Sequence, residues 1–237
     1  MDRFPMTRYS VVERIRAADA EVRRVAFSDL VEGYWKPVYK HLRLTWHVSP
    51  DDAEDLAQGF FAEAFQKSWL EKFDPAKARF RTFVRVCVDR YVMNARQADS
   101  RLKRGGGAQV VPLDFPAAER ELPAEPTASI DPETTFQQEF VRALFDRAVR
   151  ALRKELAADA RQGHYALFER YDLAAEEGIT YAQLAREMGL TTTQVTNRLA
   201  QVRRRFRELA LEDLRSLCAT DVEFQREARD IFGVEVS

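Results

Sequence analysis

The sequence predicts an all-α protein with two small helical domains joined by an acidic linker rich in proline and glycine. Apolar residues recur at spacings of three and four along most of the chain, and alternating runs of β-branched residues are almost absent. Five of the nine prolines lie between residues 112 and 132, shortly after three consecutive glycines. Because 237 residues can bury two separate cores, this cluster of prolines and glycines predicts a boundary between two domains.

Composition excludes several classes of protein. With 46% hydrophobic and 32% charged residues, the chain is expected to fold and to be soluble. No run of about eighteen apolar residues is present, and the first ten residues, "MDRFPMTRYS", do not resemble a secretory signal, so a cytoplasmic location without a membrane partner is expected. The two cysteines and three histidines are scattered, which predicts neither a metal site nor a cofactor. A phosphate-binding glycine loop and a nucleophile–base pattern are both lacking, so we do not expect an enzyme.

The first domain is predicted to span residues 1–104 and to contain three main helices. One carries an apolar stripe over residues 27–42, and Pro37 is expected to kink it. The second begins at Ser49, an N-cap residue followed by proline, and the third runs over residues 80–95. Four carboxylates lie at the start of the second helix: Asp51, Asp52, Glu54 and Asp55. Their density indicates a basic partner surface, although carboxylates there also interact favourably with the helix dipole.

Charge is segregated along the chain, although the net charge is only −1. Residues 73–104 hold nine bases against three acids, whereas residues 112–139 hold seven acids against one base. At 100° per residue, Arg81, Arg85 and Arg96 fall within an arc of about 60° on the third helix, and we expect them to form a basic ridge. The aromatic residues interleaved with these arginines are Phe80, Phe83 and Tyr91. Cations beside aromatic rings are typical of single-stranded DNA binding, but a solvated helix face would show the same ridge.

Prolines, glycines and acidic residues also indicate how the second half of the chain is divided. Residues 105–132 are predicted to form a flexible linker, which its acidity keeps extended and away from DNA phosphates. Residues 133–209 are predicted to form the second helical domain. Residues 210–237 are predicted to form an amphipathic helical extension that packs on the second domain or regulates it.

The most specific motif is "TYAQLAREMGLTTTQVTNRLAQVRRRF", residues 180–206, which predicts a helix-turn-helix. Ala185 is small enough for a second helix to cross closely, Gly189 permits a left-handed turn, and Thr191 can cap the next helix. Val195 and Leu199 face the core, so polar residues of the same helix face outward, and five arginines lie between Arg198 and Arg207. A helical hairpin with no role in DNA binding would show the same spacing.

On these motifs, the chain resembles bacterial sigma factors of the sigma-70 superfamily, of the extracytoplasmic-function (ECF) type. "DAEDLAQGFFAEAF" is similar to the region-two helix that docks on polymerase, which implies contacts by Asp52, Glu54, Asp55, Gln58, Phe61 and Phe65. The following segment resembles the part that melts and reads the minus-ten element, with Lys77, Arg79, Arg81, Arg85, Asn94 and Arg96 as the implied DNA contacts. The helix-turn-helix resembles region four, which implies minus-thirty-five contacts by Thr192, Thr193, Gln194, Thr196, Asn197, Arg198, Gln201, Arg204 and Arg205.

The resemblance implies a function in transcription initiation. Its expected partners are core RNA polymerase, through the β′ clamp helices and the β-flap, and promoter DNA. Polymerase supplies the chemistry. An anti-sigma factor is one further candidate partner; a regulatory kinase is another, since Thr45 and Ser49 flank the acidic residues. The alternative is a helix-turn-helix transcriptional regulator that binds duplex DNA without polymerase.

Overall fold

The computed structural model describes residues 11–17, 19–99, 113–123, 131–159, 161–174 and 178–235. In this part of the chain the regular structure is helical and contains no strand, which confirms the all-α class there. The helices are α1 (Val11–Ile15), α2 (Ala20–Leu44), α3 (Pro50–Gln66), α4 (Phe80–Asp99), α5 (Phe115–Arg120), α6 (Pro132–Ala158), α7 (Gln162–Phe168), α8 (Tyr181–Glu187), α9 (Thr192–Leu217) and α10 (Asp221–Phe232). A 3₁₀ turn covers Trp69–Lys72 and a π-helical turn covers Glu169–Leu173. Among the described residues, none of these helices combines the length and apolar character that crossing a membrane requires.

The chain divides into two compact units, and this division differs from the predicted one. Unit 1 comprises Met1–Ala143 together with Leu214–Ser237, and unit 2 comprises Leu144–Asp213. The boundaries therefore fall within α6 and α9 instead of at the predicted linker, and the extension belongs to unit 1. The physical reason is that an amphipathic helix can keep one apolar period while its packing partners change. Along α6, for example, Phe140 is buried in unit 1 and Leu152 is buried in unit 2.

The core of unit 1 contains the three apolar stripes that the sequence predicted. Ser49 caps α3 as expected: its hydroxyl accepts the Asp52 N–H at 3.1 Å, and Pro50 opens the helix. Pro37 lies buried inside α2, which continues to Leu44. The buried residues of α2, α3 and α4 include Leu30, Tyr34, Val38, Ala57, Phe60, Phe80, Val84 and Val88. The α2–α3–α4 bundle fixes where the candidate binding residues lie.

The described part of the predicted linker, residues 113–123, is anchored to α2 in unit 1. Asp114 caps α5 by accepting the Ala117 N–H at 3.0 Å. Phe115 is buried against the rings of Trp35 and Tyr39, with centroid separations of 5.5 and 5.2 Å. The prediction of an extended linker is therefore wrong for residues 113–123, because burial of the Phe115 ring holds this segment against α2. The number of prolines and acidic residues gave no indication of this burial. Residues 105–112 and 124–130 of that prediction lie outside the described residues.

Carboxylates of residues 113–123 and of α6 secure this anchoring. Glu119 accepts from the Arg43 guanidinium at 2.7 and 2.9 Å, and the Tyr39 hydroxyl donates to it at 2.7 Å. The Lys40 ammonium, almost fully buried, contacts Glu121 at 2.8 Å and Glu139 at 2.6 Å. The acidic character that suggested repulsion from DNA is thus used for ion pairs within unit 1.

Unit 2 contains the two helices predicted on either side of Gly189. Thr180 caps α8, and Gly189 has a φ of 64°, the left-handed conformation that a glycine adopts without strain. Thr191 and Gln194 form a reciprocal cap: the Gln194 N–H donates to the Thr191 hydroxyl, and the Thr191 N–H donates to the Gln194 amide oxygen. The buried residues that hold these helices on α6 and α7 include Leu152, Leu167, Phe168, Leu184, Val195 and Leu199. The caps and the glycine turn therefore fix where α8 ends and α9 begins.

Candidate polymerase and DNA interfaces

The outer face of α9 is polar and accessible over its first three turns. Val195, Leu199 and Val202 are buried, so the residues between them point away from the core. The predicted minus-thirty-five residues that are exposed are Thr192, Thr193, Gln194, Thr196, Asn197, Gln201 and Arg204, and Arg198 is half-buried. This arrangement presents amide and hydroxyl donors and acceptors along one helix face, as base-edge contacts in a major groove require.

The arginines that follow on α9 differ in their availability. Arg205 contacts Glu155, Glu208 and Glu212, and its hydrogen bond to Glu155 holds its pKa well above the usual value. Arg203, whose pKa is also raised, donates to both carboxylate oxygens of Asp172. Arg204 is 77% exposed in its side chain, and its ion pair with Glu208 is long at 3.9 Å. Arg204 is therefore more available to a phosphate than Arg203 or Arg205, both of which are held by carboxylates within unit 2.

Arg198 lies near His164 of α7. The pKa of His164 is lowered, first by partial burial and then by the positive charges of Arg198 and Arg161. A neutral imidazole next to Arg198 leaves the guanidinium as the cation of this part of α9 at neutral pH. His164 was not among the residues that the sequence singled out, because nothing in its spacing connects it with α9.

The acidic start of α3 lies at the surface of unit 1. Asp51, Asp52 and Asp55 are exposed, and Glu54 is half-buried and accepts from the Gln58 amide at 3.2 Å. Asp52 also accepts the Ser49 hydroxyl at 2.7 Å. The predicted polymerase-binding set is therefore accessible at its carboxylates.

The two phenylalanines of the predicted polymerase-binding set differ. Phe65 is 49% exposed although its ring lies 4.9 Å from that of Phe27, whereas Phe61 is 4% exposed and packs against Phe27 and Phe60. Glu54, Gln58 and Phe65 share one face of α3, because they are separated by four and seven residues. Phe65 can contact a partner directly, and Phe61 supports the helix from the core.

Three predicted minus-ten residues are exposed in unit 1: Lys77, Asn94 and Arg96. Lys77 makes an exposed ion pair with Asp74 at 3.3 Å. Arg96 lies over the ring of Trp46 at 4.8 Å and donates to its carbonyl oxygen at 2.9 Å. The Trp46 indole in turn donates to Asp89 at 2.8 Å. Sequence reasoning missed Trp46 because it follows the last turn of α2, where no helical period indicates its direction.

The remaining predicted minus-ten arginines do not form the expected exposed ridge. Arg81 is only 5% exposed and is ion-paired with Glu227 of α10. Arg79 contacts Glu227 at 3.1 Å and Asp230 at 2.8 Å. At 100° per residue, Arg81 lies within about 20° of Val88 and Val92, so the helical period places it beside the buried face of α4. Glu227 of α10 is its partner there. The expectation that Arg81 is solvent-facing is therefore wrong.

Arg85 is held by carboxylates from α4 and α6. It contacts Asp89 at 2.7 Å and Glu133 at 2.6 Å, and the Thr82 hydroxyl donates to Glu133 at 2.7 Å. Burial acts to raise the pKa of Asp89, but hydrogen bonds from His41 and Trp46 outweigh it and the pKa is lowered. Asp89 therefore remains a charged partner for Arg85 at neutral pH.

The aromatic residues proposed as stacking platforms belong largely to the core of unit 1. Phe80 is fully buried, Phe83 packs against Phe73 and Phe80, and Tyr91 packs against Phe60 and Trp69. Among the described residues, no group of three or more histidine, cysteine or acidic side chains could hold a metal ion. Burial raises the pKa of the Cys87 thiol to about 11, so this residue is not a reactive thiolate.

Neither a protein-family model nor a curated protein matches this chain. The candidate surfaces are the acidic start of α3, the outer face of α9, and the arginine-rich face of α4.

Proposed function

We propose that this chain is a bacterial sigma factor of the ECF type. It binds core RNA polymerase through α3, binds promoter DNA through α9, and leaves the chemistry of transcription to the polymerase. The observation that carries the proposal is the helix pair α8 and α9, in which the residues between buried Val195, Leu199 and Val202 form an exposed polar face. This face belongs to the same chain as an acid-fronted helix, and sigma factors combine a DNA-reading helix with such a docking helix.

The DNA-binding part of the proposal rests on the chemistry of α9. Thr193 and Asn197 are exposed and can donate to and accept from base edges, and Arg198 can bind guanine or a phosphate. Arg204 lies farther along the helix with most of its side chain in solvent, where it can neutralise a phosphate. Base contacts early in a helix and phosphate contacts later are the usual order for a recognition helix.

The polymerase-binding part rests on α3. Its exposed carboxylates would attract a basic partner, and Phe65 on the same helix offers an aromatic anchor. Charged groups steer association, and a partly exposed aromatic ring contributes apolar burial once the partner is bound. The β′ clamp helices and the β-flap of polymerase are the surfaces expected for such a docking helix and for unit 2.

The experiment that tests the proposal is co-elution of the purified chain with core RNA polymerase on a sizing column at moderate salt. The unaltered chain should co-elute, and the double variant Glu54→Arg and Asp55→Arg should not, because it reverses charges at the docking surface. The matched control is Glu21→Arg with Glu235→Arg, which makes the same change in net charge at two exposed residues elsewhere in unit 1. Failure of the unaltered chain to co-elute, or equal binding by both double variants with native circular dichroism, would contradict the proposal.

A second candidate function is a transcriptional regulator that binds duplex DNA without polymerase. One observation favours it: Arg79, Arg81 and Arg85 are neutralised by carboxylates of unit 1, as expected of a chain that does not melt promoters. Fluorescence anisotropy of labelled genomic duplex fragments, with and without polymerase, separates the two functions. Tight sequence-specific binding by the free chain, together with no co-elution, would favour the regulator.

A further inference from the structure

We infer that α10 is a built-in competitor of single-stranded DNA for Arg79 and Arg81, and that it must leave these arginines before they can bind DNA. The inference rests on the proposed function and assigns a means of regulation to the α4 surface. It predicts that the chain binds single-stranded DNA weakly while α10 is docked and more tightly once α10 is released.

The contacts of α10 with the start of α4 resemble those that DNA phosphates would make. The carboxylate of Glu227 contacts the guanidinium groups of both Arg79 and Arg81, and Asp230 contacts Arg79 at 2.8 Å. Glu223 accepts the backbone N–H of Phe80 at the first turn of α4. Guanidinium groups and free N–H groups at a helix start are the groups that bind phosphate, so α10 places its anions on an anion-binding surface.

The sequence of α10 places these anions on one side. Glu223, Glu227 and Asp230 are separated by four and three residues, so they share a helix face. Thr220 caps the helix by accepting the Glu223 N–H at 3.1 Å, and Glu223 accepts the Ala219 N–H at 2.9 Å. The cap fixes the start of α10 and therefore the register in which its carboxylates meet α4.

Few apolar residues of α10 are buried, and Ile231 and Phe232 are partly buried. Phe224 and Ala228 are its buried apolar residues, whereas Val222 is 66% exposed. Burial of these side chains stabilises the docked helix, whereas a buried ion pair contributes little net stability because both charges lose their water. A few phosphate contacts are therefore enough to displace α10 without unfolding the three-helix core of unit 1.

The residues that stay accessible explain why docking should weaken binding without abolishing it. Lys77, Asn94 and Arg96 are exposed with α10 in place. Arg85 is held by Asp89 and Glu133, outside α10, and is not expected to be freed with the other two arginines. Release of α10 thus adds two cations, Arg79 and Arg81, to a surface that already offers weak contacts.

The test uses the full chain and a short fluorescein-labelled single strand of mixed sequence, followed by fluorescence anisotropy. The variant Glu227→Gln with Asp230→Asn keeps the shapes of the side chains but removes both charges that hold the arginines. We expect it to bind about tenfold more tightly than the unaltered chain, because two phosphate contacts are gained.

Two controls separate release of arginines from a general change in charge. Glu21→Gln with Glu235→Gln removes the same number of carboxylates at exposed residues of unit 1 and should leave binding unchanged. Adding Arg79→Gln and Arg81→Gln to the α10 variant should remove the gain in affinity. A gain that survives these arginine changes would overturn the inference.

Further measurements keep the test decisive if the double variant folds poorly. Asp230→Asn alone changes a half-exposed carboxylate and should still increase affinity, by about threefold, because it frees part of Arg79. In the unaltered chain, saturating single strand should increase hydrogen exchange of the α10 amides. Unchanged affinity in both variants, or unchanged α10 protection with DNA bound, would overturn the inference. Co-elution with polymerase depends on α3, so its result shows separately whether the proposed function stands.

Discussion

The arginines of α4 and the polar residues of α9 meet different surroundings. At the start of α4, Arg79 and Arg81 meet carboxylates from a helix more than a hundred residues away in sequence, and Arg81 is almost fully buried. In the first turns of α9, Thr193 and Asn197 are exposed, and farther along so is Arg204. Both segments carry the residue types of a DNA-binding helix, but the arginines at the start of α4 are covered by carboxylates, whereas the first turns of α9 present their polar face to solvent.

A cationic residue can therefore bind DNA readily only if carboxylates of its own protein do not already hold it. An arginine in a buried ion pair must first lose that pair before it gains a phosphate, and the net gain is correspondingly smaller. An exposed arginine loses only counterions and water. The two surfaces should therefore respond differently to the removal of one side chain.

The largest effect is expected for Arg81→Ala. This change leaves the Glu227 carboxylate buried with Arg79 as its remaining partner, so the free energy of unfolding should fall by about 2 to 3 kcal/mol, limited by the cost of releasing α10. Urea denaturation measures it. Arg204→Ala is the matched control and should change stability by less than about 0.5 kcal/mol, because an exposed ion pair contributes little. Equal losses of unfolding free energy in the two variants would mean that the buried Arg81 pair contributes no more than the exposed Arg204 pair.

The pH dependence of this loss has a definite sign. Burial raises the pKa of Glu227 despite Arg81 and Arg79, and removal of Arg81 raises it further. A carboxyl group whose folded pKa is raised stabilises the fold below its unfolded pKa and loses that contribution as pH rises through the folded pKa. The stability difference between Arg81→Ala and the unaltered chain should therefore shrink as the pH falls through the raised pKa of Glu227.

An intermediate effect is expected for Arg198→Ala on α9. If Arg198 makes a bidentate base contact, binding of a promoter duplex should weaken by about 1 to 3 kcal/mol; a phosphate contact would instead lower the salt slope by about 1. Anisotropy titrations over a range of salt concentrations distinguish these outcomes. Arg24→Ala, an exposed arginine of α2 paired with Glu21, is the control. If Arg198→Ala binds duplex as the control does, α9 does not read DNA through this residue.

The smallest effect is expected for Glu119→Gln, which removes the carboxylate that binds Arg43. Because this pair is only partly buried, the loss of stability at neutral pH should be about 1 kcal/mol. Hydrogen bonds from Arg43 lower the pKa of Glu119, so its contribution is present above the unfolded pKa and is lost as pH falls through the lowered folded pKa. Urea denaturation over this acidic range should show the variant and the unaltered chain converging. A constant difference would mean that Glu119 acts through packing alone.

Local signals in the sequence predicted much of this fold. Ser49 and Pro50 start α3 as expected, and Gly189 has the left-handed conformation expected between α8 and α9. Such signals are readable because a cap or a turn is formed by residues close in sequence. The helical period likewise predicted the buried apolar residues of α4, among them Phe80, Val84, Val88 and Val92.

The features that the sequence could not predict depend on distant partners. The period of α4 places Arg81 beside buried Val88 and Val92, but it contains no information about the α10 carboxylate that pairs with Arg81 there. In the same way, the acids and prolines around α5 concealed Phe115, whose burial depends on Trp35 and Tyr39. The roles of α3 and α9 in binding stay predictions, because contacts with polymerase and DNA involve molecules outside this chain.

Lys40 has a consequence for how the length of this protein can change. Its ammonium contacts Glu121 and Glu139, which lie on either side of residues 124–130, so one cation holds both ends of that connection. The entropy of closing a loop depends only weakly on its length, and doubling the number of residues costs about 0.6 kcal/mol. Insertions and deletions between Pro123 and Asp131 should therefore be tolerated by unit 1, provided that the lysine and both glutamates remain.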